Sequence, residues 1–187
     1  MKRFLILTTV ILLVLAATGT AANSPIDKGS VILGGSVSFS SMGGDLYKVG
    51  NSSTTLVQLT PSIGYFVSPG LELGAEIAYT SISVGGVSAS SFTFGPEVGY
   101  YFKSGARTEV KGSIYPYLKG FMLFYSSEGD KMTTFGGKGG MNFMLSNAVA
   151  LDAGVKFQSD SYKPDGATTS TSGTILWVGA GITAFIF

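Results

Sequence analysis

In the stretch Leu71-Glu72-Leu73-Gly74-Ala75-Glu76-Ile77-Ala78-Tyr79-Thr80, Leu71, Leu73, Ala75, Ile77 and Tyr79 alternate with Glu72, Gly74, Glu76 and Thr80. Successive side chains of a β-strand point to opposite faces, so this segment has one greasy face and one polar or small face. A helix would scatter the same apolar residues around its whole circumference. The pattern recurs on both sides. Thr55, Val57, Leu59, Ile63, Tyr65 and Val67 alternate with Gln58, Thr60, Ser62 and Gly64, while Phe92, Phe94, Val98, Tyr100 and Phe102 alternate with Thr93, Gly95, Glu97 and Gly99.

Eight such segments are predicted, at 29–41, 54–67, 70–83, 89–102, 113–126, 132–145, 148–160 and 172–187. All are longer than the roughly 5–6 residues usual in soluble sheets, and long enough for the 9–11 or so that a tilted membrane strand requires. Ser68-Pro69-Gly70 and Ser146-Asn147-Ala148 read as tight turns, and 42–53 and 161–171 as longer polar loops. Short turns on one side and long loops on the other is the arrangement of outer-membrane barrels, with the short turns periplasmic. Lys103 to Gly112 is the exception, a long link on the short-turn side. Pro61, Pro96 and Pro116 fall inside predicted strands, where each removes a ladder donor, so local bulges are expected there.

The face on which the charges lie separates a soluble barrel from a membrane one. A soluble barrel keeps apolar side chains inside. Here the non-greasy face carries Glu72, Glu76, Glu97, Lys119, Lys138, Asp152 and Lys156 among glycines, which suits a narrow polar lumen. Eight strands leave an interior nearly filled by side chains. These seven residues are therefore expected to form a lumen charge network rather than a carboxylate site for acid–base work. Charged residues make up only 12% of the chain, about half the usual ~25%, and glycine stands at 27 of 187. Tyr65, Tyr79, Tyr100, Phe102, Phe124 and Trp177 fall near strand ends and are expected to be membrane-interface aromatics, in two girdles flanking an aliphatic band.

The N-terminus carries Lys2 and Arg3, an apolar run from Phe4 to Ala17, and the small residues Thr18 to Ala22. This three-part plan predicts a cleaved signal peptide over 1–22, export by the general secretory route, and a barrel domain over 23–187. The apolar run, about 14 residues, is short for a spanning helix of roughly 20. Removing the peptide's Lys2 and Arg3 from 12 basic residues leaves 10 against 11 acidic, a net charge near −1. No bias toward nucleic acid follows. The chain has no Cys and no His, so it lacks a thiol nucleophile, the commonest general base and the commonest metal ligand.

Two nearby motifs carry little chemistry. Gly136 to Gly140 with Lys138 lacks the spacing of a phosphate loop, and reads as relief of crowding in a curved strand. The loop carboxylates Glu128 with Asp130, and Asp160 with Asp165, are too few to prefer a divalent cation over solvated charge.

The stretch Tyr115-Pro116-Tyr117-Leu118-Lys119-Gly120 resembles the strand start of OmpA-like and OmpX-like small outer-membrane barrels. The run from Phe135 through Gly136-Gly137-Lys138-Gly139-Gly140 to Ala148-Val149-Ala150-Leu151-Asp152 looks like their Gly-rich strand, short turn and acidic strand. Ala184-Phe185-Ile186-Phe187 is similar to the terminal aromatic strand read by the barrel assembly machinery, with Phe185 and Phe187 as the assembly signal. The resemblance spans nearly all of the chain after residue 22, without the periplasmic domain of OmpA. It implies an all-β fold, an eight-stranded antiparallel transmembrane up-and-down β-barrel, in a bacterial outer membrane. It also implies assembly by the barrel assembly machinery; the other partners expected are outer-membrane lipids and lipopolysaccharide, for a monomeric barrel with no cofactor. The function expected is non-enzymatic, in envelope integrity or surface interaction. The alternative is a narrow pore or lateral route for small apolar or ionic solutes, as in the OmpW group. A lipid-modifying barrel enzyme would ordinarily employ a His, and the chain has none.

Overall fold

Eight segments with one apolar and one polar face bury every backbone donor and acceptor only if the sheet closes on itself. The computed structural model describes residues 24–43, 54–84, 87–103, 110–127 and 130–187. The predicted signal peptide and the loop residue Glu128 lie outside them. The strands are β1 (Val31–Gly43), β2 (Thr54–Ser68), β3 (Leu71–Val84), β4 (Val87–Tyr101), β5 (Ile114–Ser127), β6 (Asp130–Met144), β7 (Val149–Lys163) and β8 (Thr171–Ile186). Each pairs antiparallel with its sequence neighbours, and β1 pairs with β8 to close the barrel.

One end, the termini end, carries the segment 24–30 that leads into β1, the end of β8, and the connections from β2 to β3, β4 to β5 and β6 to β7. The other, the loop end, carries 44–53, 85–86, 128–129 and 164–170. Two loop-end links are therefore two residues long, shorter than the predicted 84–88 and 127–131, because β3 runs on to pair Val84 with Val87 and β5 to pair Ser127 with Asp130. Gly85-Gly86 is a pair that two-residue hairpins favour. At the termini end Gly70 turns β2 into β3 with φ +77°. A Cβ there would be strained and would meet the Tyr101 carbonyl at 2.6 Å.

The prolines do not produce the expected bulges. Pro61 faces Gly35 on β1 while the β2–β3 register skips from Leu59 to Ser62, and Pro96 faces Ala75 on β3 while the β4–β5 register skips from Phe94 to Glu97. Both ladders resume in the same register. A proline lacks one donor, so it interrupts the ladder on one side and leaves the other intact. Between β2 and β3 the register shift falls at Phe66/Ser68, against the turn.

The outward face is apolar on every strand: Leu33, Leu59, Leu73, Ile77, Phe94, Val98, Leu118, Met141, Val155, Val178 and Ile182 are all exposed. The inward face has three layers. Ile26, Ile32, Phe66, Tyr101, Tyr115, Tyr117, Met144 and Phe185 fill the termini end. Leu56, Ile175 and Trp177, with Ala78, Phe121 and Leu123, fill the part toward the loop end. Charged and amide side chains occupy the middle. The termini-end layer is completed by the segment before β1. Ile26 is buried there, its carbonyl accepts the Gly70 N–H at 2.8 Å, and the Gly29 N–H donates to the Phe66 carbonyl at 2.9 Å.

Candidate functional site

Buried charges persist only when paired and hydrogen-bonded. Strand alternation puts Glu72 and Glu76 of β3, Glu97 of β4, Lys119 of β5, Lys138 of β6 and Lys156 of β7 all inward. Their long side chains then meet across the lumen. Lys119 Nζ lies 2.6 Å from Glu72 Oε2 and 3.1 Å from Glu97 Oε1. Lys138 Nζ bridges Glu97 Oε2 at 2.7 Å and Glu76 Oε2 at 2.9 Å, and Lys156 Nζ reaches Glu76 Oε1 at 2.7 Å. The result is one alternating ladder, Glu72–Lys119–Glu97–Lys138–Glu76–Lys156, with three charges of each sign. Lys138 is the most exposed member, its side chain 16% accessible, and the three glutamates are essentially sealed.

Small residues make the room. A Cβ on Gly64 would coincide with the Glu72 carboxylate. One on Gly74 would lie 3.2 Å from Glu72 Oε1, and one on Gly99 would lie 2.8 Å from Lys119 Cγ. The ladder joins the apolar layers through its lysines, with Lys156 Nζ 4.3 Å above the Phe121 ring and Lys119 Nζ 5.3 Å from the Tyr101 ring centre.

Toward the loop end a second, amide-based chain continues. Lys156 donates to Gln58 Oε1 at 3.3 Å, and Gln58 Nε2 donates to Thr80 at 3.0 Å. Trp177 Nε1 donates to Gln158 Oε1 at 2.9 Å, Gln158 Nε2 donates to Asp160, and Thr134 Oγ1 also donates to Asp160. Trp177 is fully buried, so its expected place in the membrane-interface girdle is corrected. It shares the parity of Gly179 and Gly181, the inward face, and its indole N–H finds a buried partner. Phe66 and Phe185 are likewise inward and buried, while Phe187 is exposed at the end of the chain. The other five aromatics lie on the outward face. Tyr79 packs on Phe92 with ring centres 4.8 Å apart, and Tyr100 on Phe102 at 5.0 Å. Phe124 is exposed and Tyr65 half-buried.

Asp152 stands apart from the ladder it was grouped with. It is half-buried, and Tyr117 OH donates to its Oδ2 at 3.3 Å. With Asn142 and the small residues Gly34, Ser36 and Ser62 it lines a cavity of about 50 Å³ beside the lysines. A few waters fit such a space. Buried apolar side chains lie on both sides of the cavity along the barrel, Tyr101, Tyr115 and Phe185 among them toward the termini end and Leu56, Ile175 and Leu123 toward the loop end. Among the described residues no three His, Cys, Asp or Glu side chains are grouped to hold a metal ion.

Neither a protein-family model nor a curated protein matches the chain in sequence. Solved structures match its fold. The chain is similar to Neisserial surface protein A, with a TM-score of 0.58 and 15% identity over 84% of this chain and 99% of that one. It is similar to the outer membrane protein OprG from Pseudomonas aeruginosa, with a TM-score of 0.50 and 13% identity over 89% and 99%. It is also similar to the outer membrane protein AlkL, solved in DMPC lipid bilayers, with a TM-score of 0.51 and 12% identity over 90% and 94%. The likeness is one of fold, that of a small closed outer-membrane β-barrel.

Proposed function

We propose that this chain is a non-enzymatic β-barrel of a bacterial outer membrane, with a lumen sealed by side chains and a role in envelope integrity or surface interaction. One observation carries the reading. The apolar side chains face outward on all eight strands while a neutral six-residue ion ladder is enclosed within. Water would penalise that exterior, whereas a lipid bilayer accepts it. The lysines and glutamates of the ladder are each committed to a partner, and the chain has no His or Cys to act as base or nucleophile. The loop end faces outward from the cell and Phe187 the periplasm. Export follows from the signal peptide over 1–22, and assembly from the terminal strand bearing Phe185 and Phe187. The barrel is a monomer among lipids and lipopolysaccharide. Planar-bilayer recordings test the sealed lumen: insertion without a steady open state is expected, and sustained large conductance overturns it.

A second reading, a lateral route for small apolar solutes, is favoured by one feature. The register between β4 and β5 ends at Phe94↔Phe124, although β4 continues to Val87 against β3 and β5 to Ser127 against β6. Behind that seam lie Ala78, Phe121 and Leu123. Joining the strands with a disulfide in a Thr93→Cys/Tyr125→Cys variant should slow apolar solute uptake if the seam opens. Unchanged uptake removes this reading.

A further inference from the structure

Lys131 of β6 and Lys163 of β7 are directly opposite one another in the register, and both are exposed. They have the parity of Phe135, Met141 and Phe143 on β6 and of Leu151, Val155 and Phe157 on β7, so they stand on the outward, lipid-facing side. Two like charges directly opposite on one face of an antiparallel pair destabilise the sheet. No ion pair joins either ammonium to a carboxylate among the described residues. Among the described residues, then, no ion pair offsets the repulsion, and an anion seated between the two ammoniums would.

Position and surroundings say which anion. Lys131 lies four residues beyond Phe135, about 13 Å along the strand, just past the apolar belt and at the level of lipid headgroups. Around it the outward face is hydroxylated: Thr133 faces Ser161, Ser161 faces Ser172, and Ser159 faces Thr174. Immediately below, Phe135, Phe157 and Leu176 are exposed to hydrocarbon. Two cations, a bed of hydroxyls and a greasy wall match the phosphate, sugar and acyl parts of a phosphorylated glycolipid. The remaining described cations on the barrel's exterior, Lys28, Lys103 and Lys111, are all at the termini end.

We infer that Lys131 and Lys163 form a headgroup site on the β6–β8 face that binds a phosphate of the outer-leaflet glycolipid lipid A. The inference rests on the membrane reading above and names one site within it. It is tested by native mass spectrometry of the full barrel in detergent with hexa-acyl lipid A bearing two phosphates, and with the same lipid after dephosphorylation. Removing the phosphates should weaken binding to the wild-type barrel about tenfold or more, as loss of a charge-assisted contact does. A K131Q/K163Q variant should lose as much with the phosphorylated lipid and be indifferent to dephosphorylation, while K131R/K163R keeps the preference. K28Q/K111Q, at the other end, should behave as wild type. Equal binding by K131Q/K163Q and wild type, an equal loss in K28Q/K111Q, or equal affinity for phosphatidylglycerol overturns the site. Heat-modifiable migration after folding into lipid vesicles separates the outcomes. Folded barrels with unchanged lipid binding sink only this site, whereas a wild-type chain that will not fold into vesicles sinks the membrane reading.

Discussion

Gly64 of β2 lies beneath the carboxylate of Glu72 on β3, so closely that any Cβ at position 64 would occupy the carboxylate's place. The strand glycine and the buried charge are two halves of one arrangement. Lys119 stands on the far side of Glu72 at 2.6 Å, so the carboxylate cannot retreat without leaving its partner. Gly64→Ala should therefore destabilise the barrel by about 1–3 kcal/mol through overpacking. Urea titration of folding in lipid vesicles measures this. Gly35, where a Cβ meets nothing within 4 Å, is the control, and an equal loss in Gly35→Ala would remove the packing argument.

Glu97 holds two lysines, Lys119 at 3.1 Å and Lys138 at 2.7 Å. Glu97→Gln removes the negative charge between two ammoniums, and breaking a buried pair costs about 3 kcal/mol. Lys138→Met acts at the most exposed rung and leaves Glu76 paired with Lys156 and Glu97 paired with Lys119, so it should cost less than Glu97→Gln. The same urea titration ranks them. The reverse order would mean that the ladder is held from its solvated rung.

Trp177 is the only tryptophan of the chain, so it reports its own location. Buried in the lumen and hydrogen-bonded to Gln158, it should be quenched by aqueous iodide far less than free tryptophan. Gln158→Leu should shift its emission to the blue by removing the hydrogen-bond acceptor. Strong iodide quenching in the folded barrel would return Trp177 to the interface.

Ile26 packs into the termini-end apolar layer from outside the sheet. Truncation to Ala removes buried aliphatic volume from a layer that includes Phe66, Tyr101 and Phe185, and should cost about 2–4 kcal/mol. The loss should be local before it is global. Amide exchange should quicken at Gly29 and Gly70, whose N–H groups are tied to Phe66 and Ile26, and stay unchanged at the ladder. Uniformly faster exchange would contradict a separable stopper.

Most of the candidate site was legible in the alternation, because parity on a strand assigns a side chain to one face without knowledge of the partner strand. Glu72, Glu76, Glu97, Lys119, Lys138 and Lys156 could all be assigned inward in this way. Trp177 was open to the same test, sharing its parity with Gly179 and Gly181, but its nearness to a strand end suggested a girdle instead. Position along a strand gives the level in the membrane, and only parity gives the side. Ile26 had no such signal, since 24–30 has no period and its role comes from folding back across the rim.

The eight strands, their two faces and the opposite charges inside follow from the order of residues, since each depends on a two-residue period within one segment. Tertiary structure alone decided which lysine meets which glutamate, that Asp152 pairs with Tyr117 instead, and that Lys131 stands opposite Lys163. Those relations join different strands, and the stagger between neighbours in a closed barrel sets the height at which their side chains meet.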